Sequence, residues 1–468
     1  MSAANESGWL PDYIFRNGRF EAGTAMFADR EGRITRFSKA PEDVTAARRL
    51  NRRAILPGLV NAHSHAFQRA IRARTEHRTE AYADSFWTWR EAVYRAANRL
   101  DPDDVYHVAR MAFLEMVASG ITTVGEFHYL HHSPDGAPYR DTNLLAKQVI
   151  RAACEMGLRI GLLRTAYFRS GWRQPLNTGQ RRFLTPNVAE FIAHTDQLRD
   201  WIARSCPADM AWAGVAPHSV RAVPLPALLE IVRYARTQGL QVHMHVAEQP
   251  LEIQSCLAEH NLSPIMLLAQ HEILDPHFTA VHAIHVTEQE IEAFALAKAI
   301  VCACPATERN LGDGIIPAER LNASGVQICF GTDSNIQVDL LEDARELEYH
   351  LRLKHLRRAV FEADSPQDRM AGRLFDGVTR FGAQSLGAQG GSLAPGRPAD
   401  FFVIDLDDLS IAGAGPDVLL SNIVFAAGKT AIQEVYVGGR PMIQEGRHSL
   451  QEEVVQQFTF VQKKIWGS

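Results

Sequence analysis

Between about residues 56 and 375 the sequence alternates apolar, strand-like runs with amphipathic, helix-like segments. The runs are ILPGLVNAH, ITTVGEFH, RIGLLRTAY, MAWAGVAPH, LQVHMHVAE, FTAVHAIH, AIVCACP and VQICFGTDS. The helical segments include DDVYHVARMAFLEMVAS, LLAKQVIRAACEMG, LPALLEIVRYARTQG and TEQEIEAFALAKA. Near-continuous apolar strands separated by helices are typical of a parallel sheet that is buried on both faces. Eight such units over roughly 300 residues predict an α/β fold of the (β/α)8 barrel type rather than a shorter doubly wound sheet.

The two ends of the chain have a different pattern. The segment YIFRNGRF contains the pair Asn17-Gly18, which is typical of a two-residue turn between paired strands. Near the other end, GSLAPGRPADFFVIDLDD and IQEVYVGGRPMIQEGR have the pattern of strands interrupted by Gly and Pro turns, and LQEEVVQQFTFVQKKIW that of a closing helix. We therefore predict a small β-sandwich built from residues 1–55 and 381–468, the latter with the closing helix, around a catalytic barrel of residues 56–380.

Composition and charge exclude several classes of protein. The net charge of −5 provides no basic surface for nucleic acid and no polybasic membrane patch. No apolar run reaches the roughly 18 residues of a transmembrane helix, and MSAANESGWLPDYIF lacks the features of a signal peptide. The six cysteines include no CxxC pair, and CAC at 302–304 is interpreted as part of a buried strand. These observations favour a cytoplasmic protein with reduced thiols and with no nucleic-acid or membrane partner.

Several predicted strands end in residues of the kinds that bind metals. They are His63 and His65 in NAHSH, His243, His245 and Glu248 in HMHVAE, His282 and His285 in VHAIH, and Asp333 in GTDS. A single HxH pair is weak evidence, because about one is expected by chance in a chain with 19 histidines. In a barrel, however, the C-terminal ends of the strands meet on one face, where the chemistry lies. Histidines and a carboxylate on that face form a zinc-type ligand set; the alternative is a group of unrelated strand-end residues.

The order of these residues resembles the amidohydrolase superfamily, specifically its aminohydrolase branch with one metal ion. HxH follows the first strand, HxxE the fifth, His the sixth and Asp the eighth. The resemblance implies a metal-bearing (β/α)8 barrel with a small β-sandwich from both chain ends. Within the superfamily, NAHSHAFQRA, DSFWTWRE, EFHYLHH, PHSVRAV, HVAEQ and NLGDGIIPA are similar to the formimidoylglutamate deiminases. One departure is Pro305-Ala306 in CPATERNLGDG, where a Ser-type residue is expected.

The resemblance implies a metal site with four ligands. His63, His65, His245 and Asp333 would hold one Zn²⁺ ion per subunit, and Fe²⁺ or Mn²⁺ also suits these ligand types. His63 and His65 are one residue apart on an extended segment, so both side chains can reach the same ion. His243 lies on the same strand face as His245, and we interpret it as a structural residue.

The resemblance also assigns catalytic roles. Glu248 would carry a proton from the attacking water to the leaving nitrogen, and a solvated glutamate at a helix start is the plain alternative. His282 would hydrogen-bond the nucleophile. Asp333 would act both as a metal ligand and as the base that accepts a water proton.

The implied substrate is N-formimino-L-glutamate, which carries two carboxylates. Guanidinium groups bind carboxylates bidentately, although a surface salt bridge is the commoner role of an arginine. The resemblance assigns substrate binding to Gln68, Arg90, Tyr129, His218 and Arg221. In the family the arginine at the Arg90 position can come from a neighbouring subunit, which implies a homodimer. Arg69 is interpreted as structural, and the aromatic residues of SFWTWRE could equally serve only to pack their loop.

The sequence is compatible with three functions. The first is hydrolysis of N-formimino-L-glutamate to N-formyl-L-glutamate and ammonia, a step of histidine degradation. The second is a nucleobase or pterin aminohydrolase with the same metal ligands, although a flat neutral heterocycle does not require two arginines. The third is a non-catalytic scaffold of the same fold, against which the complete ligand set argues.

Overall fold

The structure, a computed structural model, describes residues 6–76, 86–361 and 370–467. The first two residues of DSFWTWRE, Asp84 and Ser85, lie outside these ranges. The strands within the ranges are β1 (Ser7–Arg16), β2 (Arg19–Ala22), β3 (Ala25–Ala28), β4 (Ile34–Ser38), β5 (Arg48–Pro57), β6 (Leu59–Ser64), β7 (Ile121–His128), β8 (Arg159–Ala166), β9 (Ala211–Pro217), β10 (Val242–Val246), β11 (Phe278–His282), β12 (Ile300–Ala303), β13 (Ile328–Phe330), β14 (Phe401–Asp405), β15 (Ile432–Val437), β16 (Arg440–Gln444) and β17 (Arg447–His448).

The helices in the same ranges alternate with the barrel strands or flank them. They are α1 (Pro41–Ala46), α2 (Phe86–Ala97), α3 (Pro102–Ala118), α4 (Leu144–Glu155), α5 (Val188–Ser205), α6 (Leu225–Gln238), α7 (Pro250–His260), α8 (Pro264–Gln270), α9 (Glu288–Ala297), α10 (Pro305–Leu311), α11 (Ala318–Ala323), α12 (Leu340–His355), α13 (Met370–Asp376), α14 (Gly382–Leu386), α15 (Leu419–Phe425) and α16 (Gln451–Trp466). No helix in the described ranges is long and apolar enough to cross a membrane.

Strands β6 to β13 pair in chain order, each parallel to the next. The sheet closes where β6 meets the chain after β13: the Asp333 N–H donates to the His63 carbonyl over 3.0 Å, and the His65 N–H donates to the Asp333 carbonyl over 2.9 Å. Every residue of β6, β7 and β8 is buried, as expected for strands that are covered on both faces. The predicted (β/α)8 barrel is confirmed.

The second sheet contains strands from both ends of the chain. Its order is β17-β16-β15-β14-β5-β1-β3-β4, with β2 beside β1. Most neighbours are antiparallel, and β1 and β5 are parallel. The predicted hairpin joins β1 to β2, with Asn17 and Gly18 at positive φ (50° and 75°), as a tight turn of this kind requires. The predicted arrangement of a barrel with a separate β unit from both termini is thus confirmed. The bounds 1–55, 56–380 and 381–468 stay predictions, since Gly58 alone separates β5 from β6.

A buried ion pair joins this sheet to the barrel. Arg159 at the start of β8 donates from Nε and Nη2 to the two carboxylate oxygens of Asp400, over 2.7 and 3.1 Å. Asp400, which precedes β14, also accepts a hydrogen bond from the Gly438 N–H over 2.7 Å. The predicted closing helix, α16, packs on the barrel side, where the Trp466 indole N–H donates to the Ala70 carbonyl over 3.1 Å.

The ends of the helices follow local capping signals. Asp101 caps α3 and forms a capping box with Asp104, so α3 begins one residue before the apolar repeat that predicted it. Thr287 and Glu290 form the same motif at the start of α9. The sequence therefore placed these helices to within a residue or two.

Candidate active site

Four side chains converge at the C-terminal end of the barrel. Nε2 of His63 and Nε2 of His65 each lie 3.3 Å from Oδ1 of Asp333. Nε2 of His245 lies 3.2 Å from Nε2 of His63 and 3.3 Å from Nε2 of His65. Four ligand atoms held about 2.0–2.1 Å from one ion at the corners of a tetrahedron are about 3.3–3.4 Å apart. The spacing of this cluster therefore fits four side chains that could ligate one metal ion.

The hydrogen bonds of two ligand rings fix which nitrogen carries the proton. Nδ1 of His65 lies 2.9 Å from the Phe127 carbonyl, and Nδ1 of His245 lies 3.2 Å from the His218 carbonyl. Because a carbonyl oxygen only accepts, each Nδ1 carries the hydrogen and each Nε2 presents a lone pair to the cluster. Burial lowers the pKa of His63 to about 3 and also lowers the pKa values of His65 and His245, so the rings are neutral at neutral pH. Lone pairs that face one another across 3.3 Å are the donor set of a cation site.

The backbone at these strand ends is locally strained. His282 has φ 77°, Asp333 has φ 45° and Ala247 has φ 55°, values that non-glycine residues rarely adopt. The side-chain amide of Asn335 donates to the carbonyls of His65 (3.1 Å) and Asp333 (3.3 Å), and so ties together the segments after β6 and β13. Residues held in such conformations by their surroundings cluster at functional sites.

Glu248 and His282 lie beside the cluster. Nε2 of His282 is 3.6 Å from Oε1 of Glu248 and 3.8 Å from Oδ2 of Asp333. Nδ1 of the same ring is 3.3 Å from Oε1 of Glu308. Burial opposes protonation of His282, but the carboxylates of Glu248, Glu308 and Asp333 outweigh it and raise its pKa to about 10. The ring is therefore a cation at neutral pH that can donate from both nitrogens.

The pKa of Glu248 is raised to about 7, chiefly by burial, with the charges of Asp333 and Glu252 adding to the effect against the opposing charge of His282. Glu252 accepts from the Glu248 backbone N–H over 3.2 Å and so holds the chain after β10. A carboxyl group with a pKa near 7 gains and loses a proton readily at neutral pH, as a proton carrier must. The pKa of Asp333 is shifted in the opposite direction. Burial alone would raise it, but the hydrogen bond from His63 and the surrounding imidazoles hold that pKa below its usual range.

A cavity opens over the cluster, and the sequence-predicted substrate residues line it. These are Gln68, Arg90, Tyr129, His218 and Arg221, together with Glu248, His282 and Asp333. The Arg90 side chain lines the cavity of its own chain, with its guanidinium carbon 5.6 Å from the centre of the Tyr94 ring. Gln68 donates to the Tyr129 hydroxyl over 2.9 Å. Burial and the charge of Arg221 hold the pKa of His218 well below its usual value, so this ring is neutral.

Other residues that the sequence singled out lie elsewhere. His243 points to the Ser385 carbonyl, 2.8 Å from its Nε2, and Arg69 pairs with Glu115 over 2.8 Å. His285 lies 2.9 Å from the Asp313 carbonyl. All six cysteines are free, and Cys302 and Cys304 are buried at the barrel strand β12 and just beyond its end. The Pro305-Ala306 departure forms the first turn of α10 and does not line the cavity.

The comparison with known proteins identifies the family and the fold. A profile of the amidohydrolase family matches residues 54–442. The chain belongs to the amidohydrolase family. The formimidoylglutamate deiminase of Pseudomonas aeruginosa is 37% identical over 461 residues, which cover 97% of each chain. The 8-oxoguanine deaminase of Pseudomonas aeruginosa is 28% identical over 85% of this chain and 83% of its own length. The 5-methylthioadenosine/S-adenosylhomocysteine deaminase of Moorella thermoacetica is 26% identical over 84% and 82%.

Solved structures agree with this assignment. An amidohydrolase from Brucella melitensis has a TM-score of 0.90 and 32% identity over 98% of this chain and 99% of its own. An adenosine deaminase from Xanthomonas campestris with bound zinc has a TM-score of 0.81 and 20% identity over 98% of each chain, which shows the shared fold. The protein is thus a hydrolytic enzyme, and more narrowly a deaminase of the amidohydrolase superfamily. The scaffold alternative is set aside.

Several residues of this amidohydrolase site were not found from the sequence. Tyr94 and Tyr167 line the cavity. Glu308 contacts the ring of His282, and Glu126 binds the main chain beside His65. Glu126 accepts from the Ala66 N–H over 2.7 Å, just after the HxH pair. Tyr167 directly follows β8, so its strand-end position was a usable signal. Tyr94 is on α2, and no sequence pattern connects that helix with the cavity.

Proposed function

We propose that this amidohydrolase hydrolyses N-formimino-L-glutamate to N-formyl-L-glutamate and ammonia. The observation that carries the proposal is that Arg90 and Arg221 line the same cavity as the metal-type cluster. Two guanidinium groups suit a substrate with two carboxylates, because each can bind a carboxylate through two parallel hydrogen bonds. The 37% identity to a formimidoylglutamate deiminase over nearly the whole chain supports the same substrate.

His63, His65, His245 and Asp333 would hold one divalent ion in each chain. Their ligand types and spacing suit Zn²⁺, and Fe²⁺ or Mn²⁺ suits the same ligand types. When bound, such an ion lowers the pKa of water from ~15.7 toward ~7 and so supplies a nucleophile at neutral pH.

The protein's own groups move the protons. Oδ1 of Asp333 faces the cluster, which leaves Oδ2, on the His282 side, to accept a proton from the attacking water. The charged His282 ring donates a hydrogen bond from Nε2 toward the nucleophile. Glu248 accepts a proton as its ionised form and returns it to the nitrogen that leaves as ammonia. The C–N bond of the formimino carbon breaks as a carbonyl forms, and one water is consumed for each ammonia released.

The polar residues of the cavity place the substrate. Arg90 and Arg221 would bind its carboxylates, and Gln68, Tyr129 and the neutral His218 would contact its amidine end or backbone. We propose a homodimer on the family resemblance. Light scattering of the purified protein tests that state, independently of the assignment of Arg90.

A purine or related nucleobase deaminase is the second candidate. It is supported by the 28% and 26% identities to 8-oxoguanine deaminase and to 5-methylthioadenosine/S-adenosylhomocysteine deaminase. The distinguishing feature is charge, since a neutral heterocycle gains little from two guanidinium groups in its pocket.

Ammonia release measured with each candidate substrate tests the proposal. N-formimino-L-glutamate is compared with guanine, 8-oxoguanine, cytosine and 5-methylthioadenosine. We expect turnover of N-formimino-L-glutamate and its loss in Arg221→Met. The matched control is Arg236→Met, because Arg236 on α6 pairs with Asp275 in the loop before β11, does not line the cavity and should be dispensable for activity. Faster turnover of a nucleobase, or full activity of Arg221→Met, would overturn the proposal.

A further inference from the structure

Two cavity tyrosines share one buried amide. Gln180 is fully buried in the 3₁₀ turn Thr178–Phe183, and its Nε2 lies 2.6 Å from the Tyr94 hydroxyl and 2.6 Å from the Tyr167 hydroxyl. Both hydroxyl oxygens are therefore at most twice 2.6 Å, or 5.2 Å, apart. One carboxylate, whose two oxygens each accept a bond of about 2.7 Å, can bridge such a pair.

The neighbours of Gln180 fix the direction of these bonds. Ser170 Oγ accepts from the Asn177 N–H over 2.8 Å and donates its own hydrogen to Gln180 Oε1 over 2.5 Å. With Oε1 engaged in this way, the NH₂ group of Gln180 donates one hydrogen to each phenol. Each phenol oxygen is then an acceptor toward Gln180, and its own hydrogen is directed elsewhere.

The cavity is where those hydrogens can go. Tyr94 and Tyr167 both line it, as do Arg90 and Arg221. Burial opposes the charge of Arg221, but Tyr167, Tyr94 and Glu252 outweigh it and keep its pKa raised, so the guanidinium stays charged beside the phenols. Burial also raises the pKa of Tyr94 above its ordinary value, so that phenol keeps its proton. Two O–H groups and two guanidinium groups are therefore part of the same cavity lining.

We propose that Tyr94 and Tyr167 are specificity-determining residues that bind a substrate carboxylate beside the two arginines of the cavity. Gln180 is the positioning residue, because it turns their hydroxyl hydrogens into the cavity. This inference rests on the proposed function. It identifies the part of the cavity that selects a substrate with two negative charges. Hydrogen bonds to a charged group are stronger than those to a neutral one, so this arrangement favours a carboxylate over an amide or a ring nitrogen.

The test removes one hydroxyl at a time. Tyr94→Phe and Tyr167→Phe keep the rings and delete only the hydroxyl groups. We expect KM for N-formimino-L-glutamate to rise about tenfold in each and further in the double variant, with kcat changed much less. Gln180→Glu accepts but cannot donate, so it should turn both phenols away from the cavity and raise KM at least as much. Tyr234→Phe is the matched control, because Tyr234 donates to Asp196 on the outer helices.

A binding measurement separates this inference from the proposed function. Calorimetric titration compares glutarate, a dicarboxylate, with its monoamide, and needs no turnover. Wild-type protein should bind glutarate more tightly than the monoamide, and the double phenylalanine variant, which keeps Arg90 and Arg221, should show a much smaller preference. Normal KM in both tyrosine variants, with turnover of N-formimino-L-glutamate intact, would overturn the inference alone. Absence of turnover in the wild type, with the glutarate preference still reduced in the variant, would overturn only the proposed function. An unchanged preference in the variant would overturn the inference.

Discussion

Nδ1 of His282 lies 3.3 Å from Oε1 of Glu308, on the side of the ring opposite the atom that faces Glu248. The same Glu308 oxygen accepts from the Cys304 backbone N–H over 2.8 Å, so its position is fixed by the main chain after β12. Glu308 is nearly fully buried. It therefore holds a hydrogen on Nδ1 of His282 and directs Nε2 toward the reacting groups.

Glu308→Gln should lower kcat by about tenfold with little change in KM, because the His282 cation then donates to a neutral amide in place of a carboxylate, and the weaker bond holds the ring less firmly. Steady-state kinetics with N-formimino-L-glutamate measures the effect. Glu319→Gln is the control, since Glu319 contacts His355 over 3.0 Å at the surface. An unchanged kcat in Glu308→Gln would show that His282 does not depend on this contact.

His245→Gln should lose the bound metal, and His243→Gln should keep it. The two histidines are on the same strand, but only Nε2 of His245 reaches the cluster, whereas His243 is bonded to the Ser385 carbonyl. Elemental analysis of each purified variant gives the metal content per chain. Equal metal content in the two variants would contradict the assignment of ligands.

The value of kcat/KM should fall as the pH is lowered through about 7, by about tenfold per pH unit below it. Burial raises the pKa of Glu248 to about 7, and only the ionised carboxylate can accept a proton, so activity is present above this pKa and lost below it. A profile of kcat/KM against pH measures this fall on the acid side. Glu248→Gln should lose both the pH dependence and most of the activity. A flat profile down to about pH 5.5 would exclude Glu248 as the proton acceptor.

Asp400→Asn should reduce the free energy of unfolding by about 3 kcal/mol and leave KM unchanged. It removes one partner of the buried Arg159–Asp400 pair and leaves an uncompensated charge between the barrel and the terminal sheet. The midpoint of urea unfolding, followed by circular dichroism, measures this. Asp407→Asn breaks the exposed pair with Arg52 and should leave the midpoint nearly unchanged. Equal effects of the two substitutions would contradict this role of the buried pair.

The barrel and the cluster were predictable because they depend on local and periodic features. Alternating strand and helix patterns determine a parallel barrel, and the barrel brings all strand ends to one face. His63, His245 and Asp333 are far apart in the chain, yet each lies within three residues of the end of a barrel strand, so their convergence follows from the topology. The Asn17-Gly18 turn was predictable for the opposite reason, because its geometry is set by the two residues themselves.

The supporting contacts were not predictable, because no period or motif connects their partners. Gln180 is in a short 3₁₀ turn between β8 and α5, and Tyr94 is on a helix more than 80 residues earlier. Glu308 is in the first turn of a short helix, where a glutamate is ordinarily solvated. Such contacts depend on how loops fold over the barrel, which the sequence pattern does not specify.

The most direct test of the proposed reaction is the rate of ammonia release from N-formimino-L-glutamate, measured against the metal content of the same protein. We predict one metal ion per chain at full activity, loss of activity with a chelator, and recovery on addition of Zn²⁺, with N-formyl-L-glutamate formed in equal amount to ammonia. Undiminished ammonia release from metal-free protein, or no release from protein that holds one ion per chain, would contradict it.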